Sequence, residues 1–455
     1  MSIENTYQAQ QSFFASGATL PYAFRRKQLK MLKKAVKRYE ARIITALHAD
    51  LHKPPMEAYA GEVGLVYGEI RYCLQHLKHW MRPDHVSSPL MLYPSNSKVY
   101  RMPLGQTLII GAWNYPFSLV ITPLIGAIAG GNCAVLKPSE LAPHTAVVIA
   151  DLVRETFAPA YITVEEGEGS EVIPALMHHR FDHVFFTGST QVGKKILAMA
   201  APHLTPVTLE LGGKSPCIVD DKVDIQVAAR RIIWGKFWNA GQTCIAPDYV
   251  LVHAKVKDAL VAAMKKAITG FYSDAPFNSK DYARIISKKR FDTLRGYLTQ
   301  GRIIHGGDSN ESALFIAPTL MEDVPAESPL MQEEIFGPIL PILTYEHLGD
   351  AIQYIRQQPA PLSLYVFTKR SSTEKMIIDQ LRFGGGCINN VLGHYTNVEM
   401  PFGGVGYSGM GQYHGKYSFD TFTHPKSMMK TGTWLDAKMK YPPYRGLRFL
   451  KWLLK

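Results

Sequence analysis

Apolar positions change period several times along the chain. In "FRRKQLKMLKKAVKRYEAR" (24–42) and the residue just beyond, Leu29, Leu32, Val36, Tyr39 and Ile43 recur every three or four residues. That spacing predicts an amphipathic helix with a basic outer face. From about residue 106 the pattern becomes an alternation. "QTLIIGAW", "CAVLKPS", "YITVEEG", "HVFFTG" and "PVTLELGG" read as strands. "SLVITPLIGAIAGG", "HTAVVIADLVRETF", "EVIPALMHHR" and "TQVGKKILAMAAPHL" read as the helices between them. Apolar strands separated by helices predict an α/β fold with a mostly parallel, doubly wound sheet. Such a sheet binds its ligand at the C-terminal ends of the strands. A second α/β stretch runs from about 220 to 390, with helices near 224–238 and 256–270 and strands at "YVLVHA", "LPILTY" and "SLYVFT". Segments 90–103 and 419–431 read as extended, and their pairing would build an arm outside both stretches.

A chain of 455 residues exceeds one ordinary core, so two or three domains are expected. The five cysteines are odd in number and include no CxxC pair. A disulfide framework is therefore not expected, and a reducing, cytoplasmic setting is. The opening "MSIENTYQAQ" lacks the layout of a signal peptide, and no apolar run suggests a spanning helix. Much of the net charge of +12 falls in 24–42, and no nucleic-acid module follows it. A solvated helix face is the expected reading, with no nucleic-acid partner. The last residues, "YPPYRGLRFLKWLLK" (441–455), put Leu447, Phe449, Leu450, Leu453 and Leu454 opposite Arg448, Lys451 and Lys455. A basic amphipathic helix of this kind rests on an anionic membrane or docks on a partner subunit.

Several segments carry candidate chemistry. "GSTQVGKK" (188–195) approaches a phosphate-binding P-loop, but Lys195 stands where Ser or Thr would hold magnesium. Gly188 and Gly193 still bracket a strand-to-helix junction, whose free N–H groups favour an anionic or nucleotide ligand. Glu210 sits in an apolar strand, where burial would raise its pKa and make it a candidate base. Gly212 and Gly213 after it permit close approach of a ligand to backbone. Asn114, between Trp113 and Tyr115, is placed to donate to a developing oxyanion, or to make a turn before Pro116. Lys137 and Glu140 at a strand end suit a ribose, and Glu333 near Phe336 suits a sugar beside a flat ring. Cys244, in "FWNAGQTCIAPD" (237–248), reads equally as a packed thiol or a nucleophile. Cys73, Cys133, Cys217 and Cys387 read as small core residues. No histidine cluster indicates a metal.

Taken together, "AWNYP", "LKPSE", "FFTGSTQVGK", "VTLELGGKSP", "NAGQTCIAPDYV", "MQEEIFGPILPI" and "MPFGGVGYSGMGQYHGKYSFDTFTH" resemble the aldehyde dehydrogenase superfamily in order and over nearly the whole chain. The likeness is greater to its class 3 members. The resemblance implies a Rossmann-type cofactor domain over 1–209, with an extended arm near 82–103, and a catalytic domain over 210–416 carrying Cys244. An oligomerisation arm over 417–440 and the tail 441–455 follow. It implies NAD(P)-dependent oxidation of an aldehyde to an acid. Cys244 would form a thiohemiacetal and then a thioester, Asn114 would hold the oxyanion, and Glu210 would activate the hydrolytic water. The cofactor would lie on Trp113, Lys137, Glu140, Gly188, Ser189 and Gly193. Leu211, Gly212, Glu333 and Phe336 would complete its site. Glu140 at the ribose implies NAD, and Lys137 beside it admits NADP. A homodimer is implied as well. Tyr115, Trp234 and Trp238 would line an apolar substrate tunnel, which favours medium or long aliphatic, aromatic or terpenoid aldehydes. The competing readings are a CoA-dependent acylating dehydrogenase or acyl reductase, and a silent binding member of the fold.

Overall fold

The computed structural model describes residues 2–436, 438–444 and 447–453. Its first sheet has six strands. From edge to edge they are Gly409–Met410, Val207–Glu210, His183–Thr187, Gln106–Ile110, Cys133–Lys137 and Ile162–Val164. All pair in parallel except Gly409–Met410, which runs antiparallel to the strand ending in Glu210. The strands Gln106–Ile110, Cys133–Lys137 and His183–Thr187 are buried at every position, as expected of a sheet covered on both faces. Helix Tyr22–Leu51 packs Leu29, Leu32, Val36, Tyr39 and Ile43 inward, the stripe expected from its spacing.

The chain leaves this sheet after Glu210 and builds a second one of seven strands. Their order is Arg302–His305, Thr319–Glu322, Ile339–Tyr345, Tyr249–His253, Pro216–Val219, Ser363–Phe367 and Gly385–Ile388. Only the first pair is antiparallel. The chain then returns to the first sheet at Gly409–Met410, so Glu210 lies between two distant segments.

The arm forms from Ser95–Pro103 and Thr423–Thr431, antiparallel from Thr423↔Pro103 to Thr431↔Ser95, with Asp84–Val86 on the other side of Ser95–Pro103. Two details depart from the expected extended segments. Leu90–Leu92 makes a helical turn, and Gly415–Thr421 is a helix, so Phe419–Thr421 are helical. Packing decides the second case. Phe419 and Phe422 are buried, and Gly126 and Gly130 of helix Ser118–Gly130 leave the room: a Cβ on Gly130 would lie 2.6 Å from the Phe422 carbonyl oxygen. The helix expected over 224–238 stops at Phe237, so Trp238 begins a turn. Cys73, Cys133 and Cys217 are buried, whereas Cys387 is half-buried on an edge strand. In the tail, Leu447–Leu453 is helical, with Leu447 and Trp452 exposed. Leu454 and Lys455, and the side chains of Phe449, Leu450 and Leu453, lie outside the described residues. No described helix is long and apolar enough to cross a membrane.

Candidate active site

The loop bearing Cys244 is held by local geometry and by its own side chains. Helix Ile225–Phe237 starts at Asp224, whose carboxylate accepts from the N–H of Val227. It ends in a reversal through Asn239 and Ala240, both in the left-handed region at φ 54° and 50°. Gly241 follows at φ +75°, where a Cβ would lie 2.3 Å from the Gly337 carbonyl oxygen, so only glycine fits. Gln242 then fastens the turn. Its amide donates to the carbonyls of Asn239 (3.1 Å) and Arg284 (2.9 Å) and accepts from Ile286 N–H (3.0 Å).

This loop places Cys244 where two cavities meet. One is apolar, about 160 Å3; the other is larger and more polar, about 510 Å3. Thr187, Glu210, Leu211 and Cys244 border both. Burial pushes the Cys244 thiol pKa up, and the nearby carboxylates of Glu334 and Glu210 push it further. The backbone N–H groups of Cys244 and Ile245 act the other way. A thiolate here needs a base or a compensating charge.

Glu210 is 2 % exposed, and neither carboxylate oxygen has a hydrogen-bond partner among the described residues. Burial alone raises its pKa well above the ordinary carboxylate value. Its backbone is fixed, with its carbonyl accepting from Gly188 N–H at 3.0 Å. A rigid strand thus carries an unengaged carboxyl group in the wall shared by the two cavities. Asn114 lies across from the thiol loop. Its Nδ2 donates to the Gln242 carbonyl at 3.1 Å, and its own carbonyl accepts from Lys53 Nζ (2.8 Å) and Asn239 Nδ2 (3.0 Å). A side-chain amide has two N–H donors, so one remains beside the thiol loop.

The polar cavity collects most of the expected cofactor residues. Trp113, Gly188, Ser189, Leu211, Gly212, Glu333 and Phe336 border it. Ser189 caps helix Thr190–Ala200 at its opening against the cavity, with Oγ accepting from Val192 N–H at 3.4 Å. The free N–H groups of that helix start suit a phosphate. Trp113 and Phe336 meet edge to face, with centroids 5.2 Å apart. A Cβ on Gly212 would lie 2.1 Å from Glu334 Oε2, so the wall there is bare backbone. A helix start, paired aromatic rings and a glycine wall fit a dinucleotide. Three expected residues are not on this wall. Gly193 packs inward, where a Cβ would lie 2.8 Å from Leu211 Cδ2. Lys137 and Glu140 sit beyond the cavity and bind each other at 2.7 Å. Burial works to raise the Glu140 pKa, but Lys137 and backbone N–H groups outweigh it and hold the carboxyl below its ordinary value.

The glutamate doublet resolves in an unexpected way. Glu333 is exposed, and its Oε2 accepts from Tyr297 OH at 2.8 Å. Glu334, which the sequence pattern did not single out, is the carboxylate packed against Gly212. Burial, then the charge of Asp248, raises its pKa to about 8. Nothing in the run "QEEIF" says which of the two turns inward.

Tyr115, Trp234 and Trp238 all border the apolar cavity. The indoles of Trp234 and Trp238 meet edge to face at 5.2 Å. Tyr115 OH bonds Thr243 Oγ1 at 2.7 Å, next to Cys244. Gly61 allows the close approach: a Cβ there would lie 3.3 Å from the Tyr115 ring and 3.4 Å from Trp238 Nε1. Among the lining residues that sequence reasoning missed are Leu65, Leu119, Leu392, Tyr395, Phe402 and Tyr413. The hydroxyls of Tyr395 and Tyr413 lie 3.4 Å apart. Phe402 and Tyr413 stand in the glycine-rich run "PFGGVGYSGMGQYHG", whose aromatic residues were the available signal.

The sequence and the fold match those of known proteins. The model of the aldehyde dehydrogenase family matches residues 1–428. The chain is 50 % identical to 4,4'-diaponeurosporen-aldehyde dehydrogenase of Staphylococcus aureus, over 100 % of this chain and 99 % of that protein. It is 44 % identical to aldehyde dehydrogenase family 3 member A2 of Rattus norvegicus, over 97 % and 91 % of the two chains. Among solved structures, AldH of Staphylococcus aureus in a substrate-bound state superposes with a TM-score of 0.98 at 49 % identity, covering 100 % of both chains. An indole-3-acetaldehyde dehydrogenase complexed with NAD+ superposes with a TM-score of 0.87 at 27 % identity, covering 94 % and 88 %. A thiol and a buried carboxyl group where two cavities meet thus sit in the fold these proteins share, and the chain belongs to the aldehyde dehydrogenase family.

Proposed function

We propose that the protein oxidises apolar aldehydes to carboxylic acids with NAD(P), through a covalent adduct on Cys244. The observation that carries this reading is the position of Cys244 and Glu210 in the wall common to an apolar cavity and a polar one. A substrate chain in the first brings its carbonyl carbon to the thiol. Cys244 Sγ attacks that carbon, and Glu210 takes the thiol proton on its unengaged carboxylate. The remaining N–H of Asn114 and the backbone N–H of Cys244 donate to the oxyanion. Bound in the polar cavity, NAD(P) would supply the two-electron acceptor needed for the thiohemiacetal on Cys244 to become a thioester. Glu210 passes the thiol proton on to solvent and then draws one from water, whose oxygen attacks the thioester carbonyl; the departing thiolate is reprotonated as the acid is freed.

Trp113, Gly188, Ser189, Leu211, Gly212 and Phe336 would hold the dinucleotide, and Lys137 with Glu140 would take the adenine-side ribose. For the nicotinamide-side ribose the inward Glu334 replaces Glu333 as our assignment, because the Glu333 carboxylate is engaged by Tyr297. Glu140 favours NAD, since a 2′-phosphate would face a carboxylate; the adjacent Lys137 leaves NADP acceptable. The aromatic and leucine lining favours medium or long aliphatic, aromatic or terpenoid aldehydes. One relative's name specifies 4,4'-diaponeurosporen-aldehyde.

The exposed strand Thr423–Thr431 would join a second copy to make a homodimer. The tail helix, with Arg448 and Lys451 beside exposed Leu447, would rest on an anionic membrane surface. The five free cysteines suit a reducing, cytoplasmic setting.

The decisive experiment follows reduced nicotinamide with a panel of aldehydes, with and without CoA, for wild type and Cys244→Ser. Oxidation that needs no CoA and is lost in Cys244→Ser is expected. A strict CoA requirement would identify an acylating enzyme, and inactivity with every aldehyde a silent member of the fold.

A further inference from the structure

One fully buried cation lies under the active site and is not used by the chemistry above. Lys53 sits in the turn between helices Tyr22–Leu51 and Pro55–Ala58, with no exposed side-chain surface. Its Nζ makes an ion pair with the equally buried Glu62 at 2.5 Å. The same atom donates to the Asn114 carbonyl at 2.8 Å and lies 4.0 Å from the centre of the Tyr115 ring. Glu62 is saturated in turn, since its other oxygen accepts from the N–H groups of Phe117 (2.9 Å) and Ser118 (3.1 Å). Those two residues begin the helix Ser118–Gly130. The pair therefore brackets residues 114–118 from below, with the cation on the Asn114–Tyr115 side and the anion on the Phe117–Ser118 side.

What rests on this bracket is the set of links between two distant segments. Asn114 reaches the thiol loop through Nδ2 to the Gln242 carbonyl, and Tyr115 through its hydroxyl to Thr243. Asn239 Nδ2 returns from the thiol loop to the same Asn114 carbonyl that Lys53 holds. With the carbonyl fixed by two donors and the ring by a cation, the Asn114 amide has one place to be. Resting on the assignment of Cys244 and Asn114 above, we propose that Lys53 is a positioning residue for the oxyanion site. It touches neither substrate nor cofactor, and it acts by fixing the backbone from which Asn114 donates. Oxyanion stabilisation depends on donors held in place before charge develops, so displacement of Asn114 should slow attack on a carbonyl more than it weakens binding.

A cofactor-free reaction tests this. The probe is p-nitrophenyl acetate: Cys244 Sγ gives its proton to Glu210 and forms a bond to the acyl carbon, the ester C–O bond breaks, and p-nitrophenolate leaves with no redox change. Acylation is measured in single turnover for wild type, Lys53→Met, Asn114→Ala and the double variant, with melting temperatures alongside. The expected result is about a tenfold or greater loss for Lys53→Met, with the ester concentration at half-maximal rate little changed. In the Asn114→Ala background the same substitution should add less than about twofold, since the two act through one donor. A merely structural role predicts independent, multiplicative losses that track the melting temperature. Lys53→Arg keeps the charge that Glu62 requires while displacing the donor atom. It is carried through the same cycle, and decides the matter if Lys53→Met does not fold. Multiplicative losses, or an undiminished acylation rate in a folded Lys53 variant, would overturn the proposal. Cys244→Ser is the separate control: acylation that survives it would overturn the nucleophile assignment and the proposal resting on it, whereas acylation lost there but falling multiplicatively in the Lys53 cycle would overturn the Lys53 role alone.

Discussion

The side-chain amide of Asn114 donates to the main-chain carbonyl of Gln242 at 3.1 Å, two residues before Cys244. These residues are 128 positions apart in the sequence, and the bond leaves the amide one free N–H. If that N–H meets the oxyanion, Asn114→Ala should lower kcat by about 10²–10³-fold with a small change in aldehyde KM. Steady-state kinetics on one good substrate decide it, and an unchanged kcat removes Asn114 from the chemistry.

Glu210 should impose an acidic limb on the rate. The base form is the carboxylate, and burial keeps the group protonated above its ordinary value near about 4.3. Activity is therefore expected to fall as pH drops through the raised pKa. In Glu210→Gln that limb should vanish and acyl-enzyme should accumulate, visible as added mass on Cys244. Stability changes in the opposite sense. A carboxyl group whose folded pKa is raised binds more protons folded than unfolded, so its contribution is full at low pH and is lost as pH rises. Glu210→Gln should accordingly melt higher than wild type near neutral pH, with the difference shrinking toward about pH 4. A lower melting temperature at every pH would show that the carboxyl group has partners when folded.

Gly212→Ala should damage cofactor binding selectively. The new Cβ would fall 2.1 Å from Oε2 and 2.5 Å from Oε1 of Glu334, and Glu334 would have to leave the wall. Overpacking of this kind costs about 1–3 kcal/mol; spent on the bound dinucleotide, that would raise its KM by about fivefold to 150-fold. Gly68→Ala is the control, because a Cβ there meets nothing within 4 Å. Equal dinucleotide KM values for both variants would remove Gly212 from the cofactor site.

The lining of Tyr115, Trp234 and Trp238 should appear in a chain-length series. Each buried methylene contributes about 0.8 kcal/mol, so kcat/KM should climb up to about fourfold per carbon from acetaldehyde until the cavity is filled. Trp234→Ala should flatten the rise at the long end. A profile that is level or falling from the start would refute an apolar specificity.

The tail helix should govern vesicle binding. Full-length protein is expected to sediment with anionic vesicles, and protein truncated after Lys440 to stay in solution. Added salt should weaken the association, since basic side chains drive part of it. Identical partitioning of the two proteins would exclude a membrane role for the tail.

Much of the fold was legible because its signals are local. Unbroken apolar strands and a 3–4-residue stripe on 24–42 report which backbone can form hydrogen bonds while burying one face, and both patterns appear as expected. Cys244, Glu210 and Asn114 could be singled out as candidates by residue type and local pattern, and the structure brings them to one site. Tertiary structure decided the rest. Which of Glu333 and Glu334 faces inward depends on Gly212, more than a hundred residues away. The helix Gly415–Thr421 replaces an expected extension because Gly126 and Gly130 leave room for the side chains around Phe422. Tyr395, Tyr413 and Lys53 reach the site only when the return strand Gly409–Met410 pairs beside Glu210 and the opening helices pack beneath Asn114. The sequence by itself marked which groups are candidates for chemistry. Long-range packing decided which of them meet, because the burial and hydrogen bonds that orient a side chain come from segments its own neighbours do not specify.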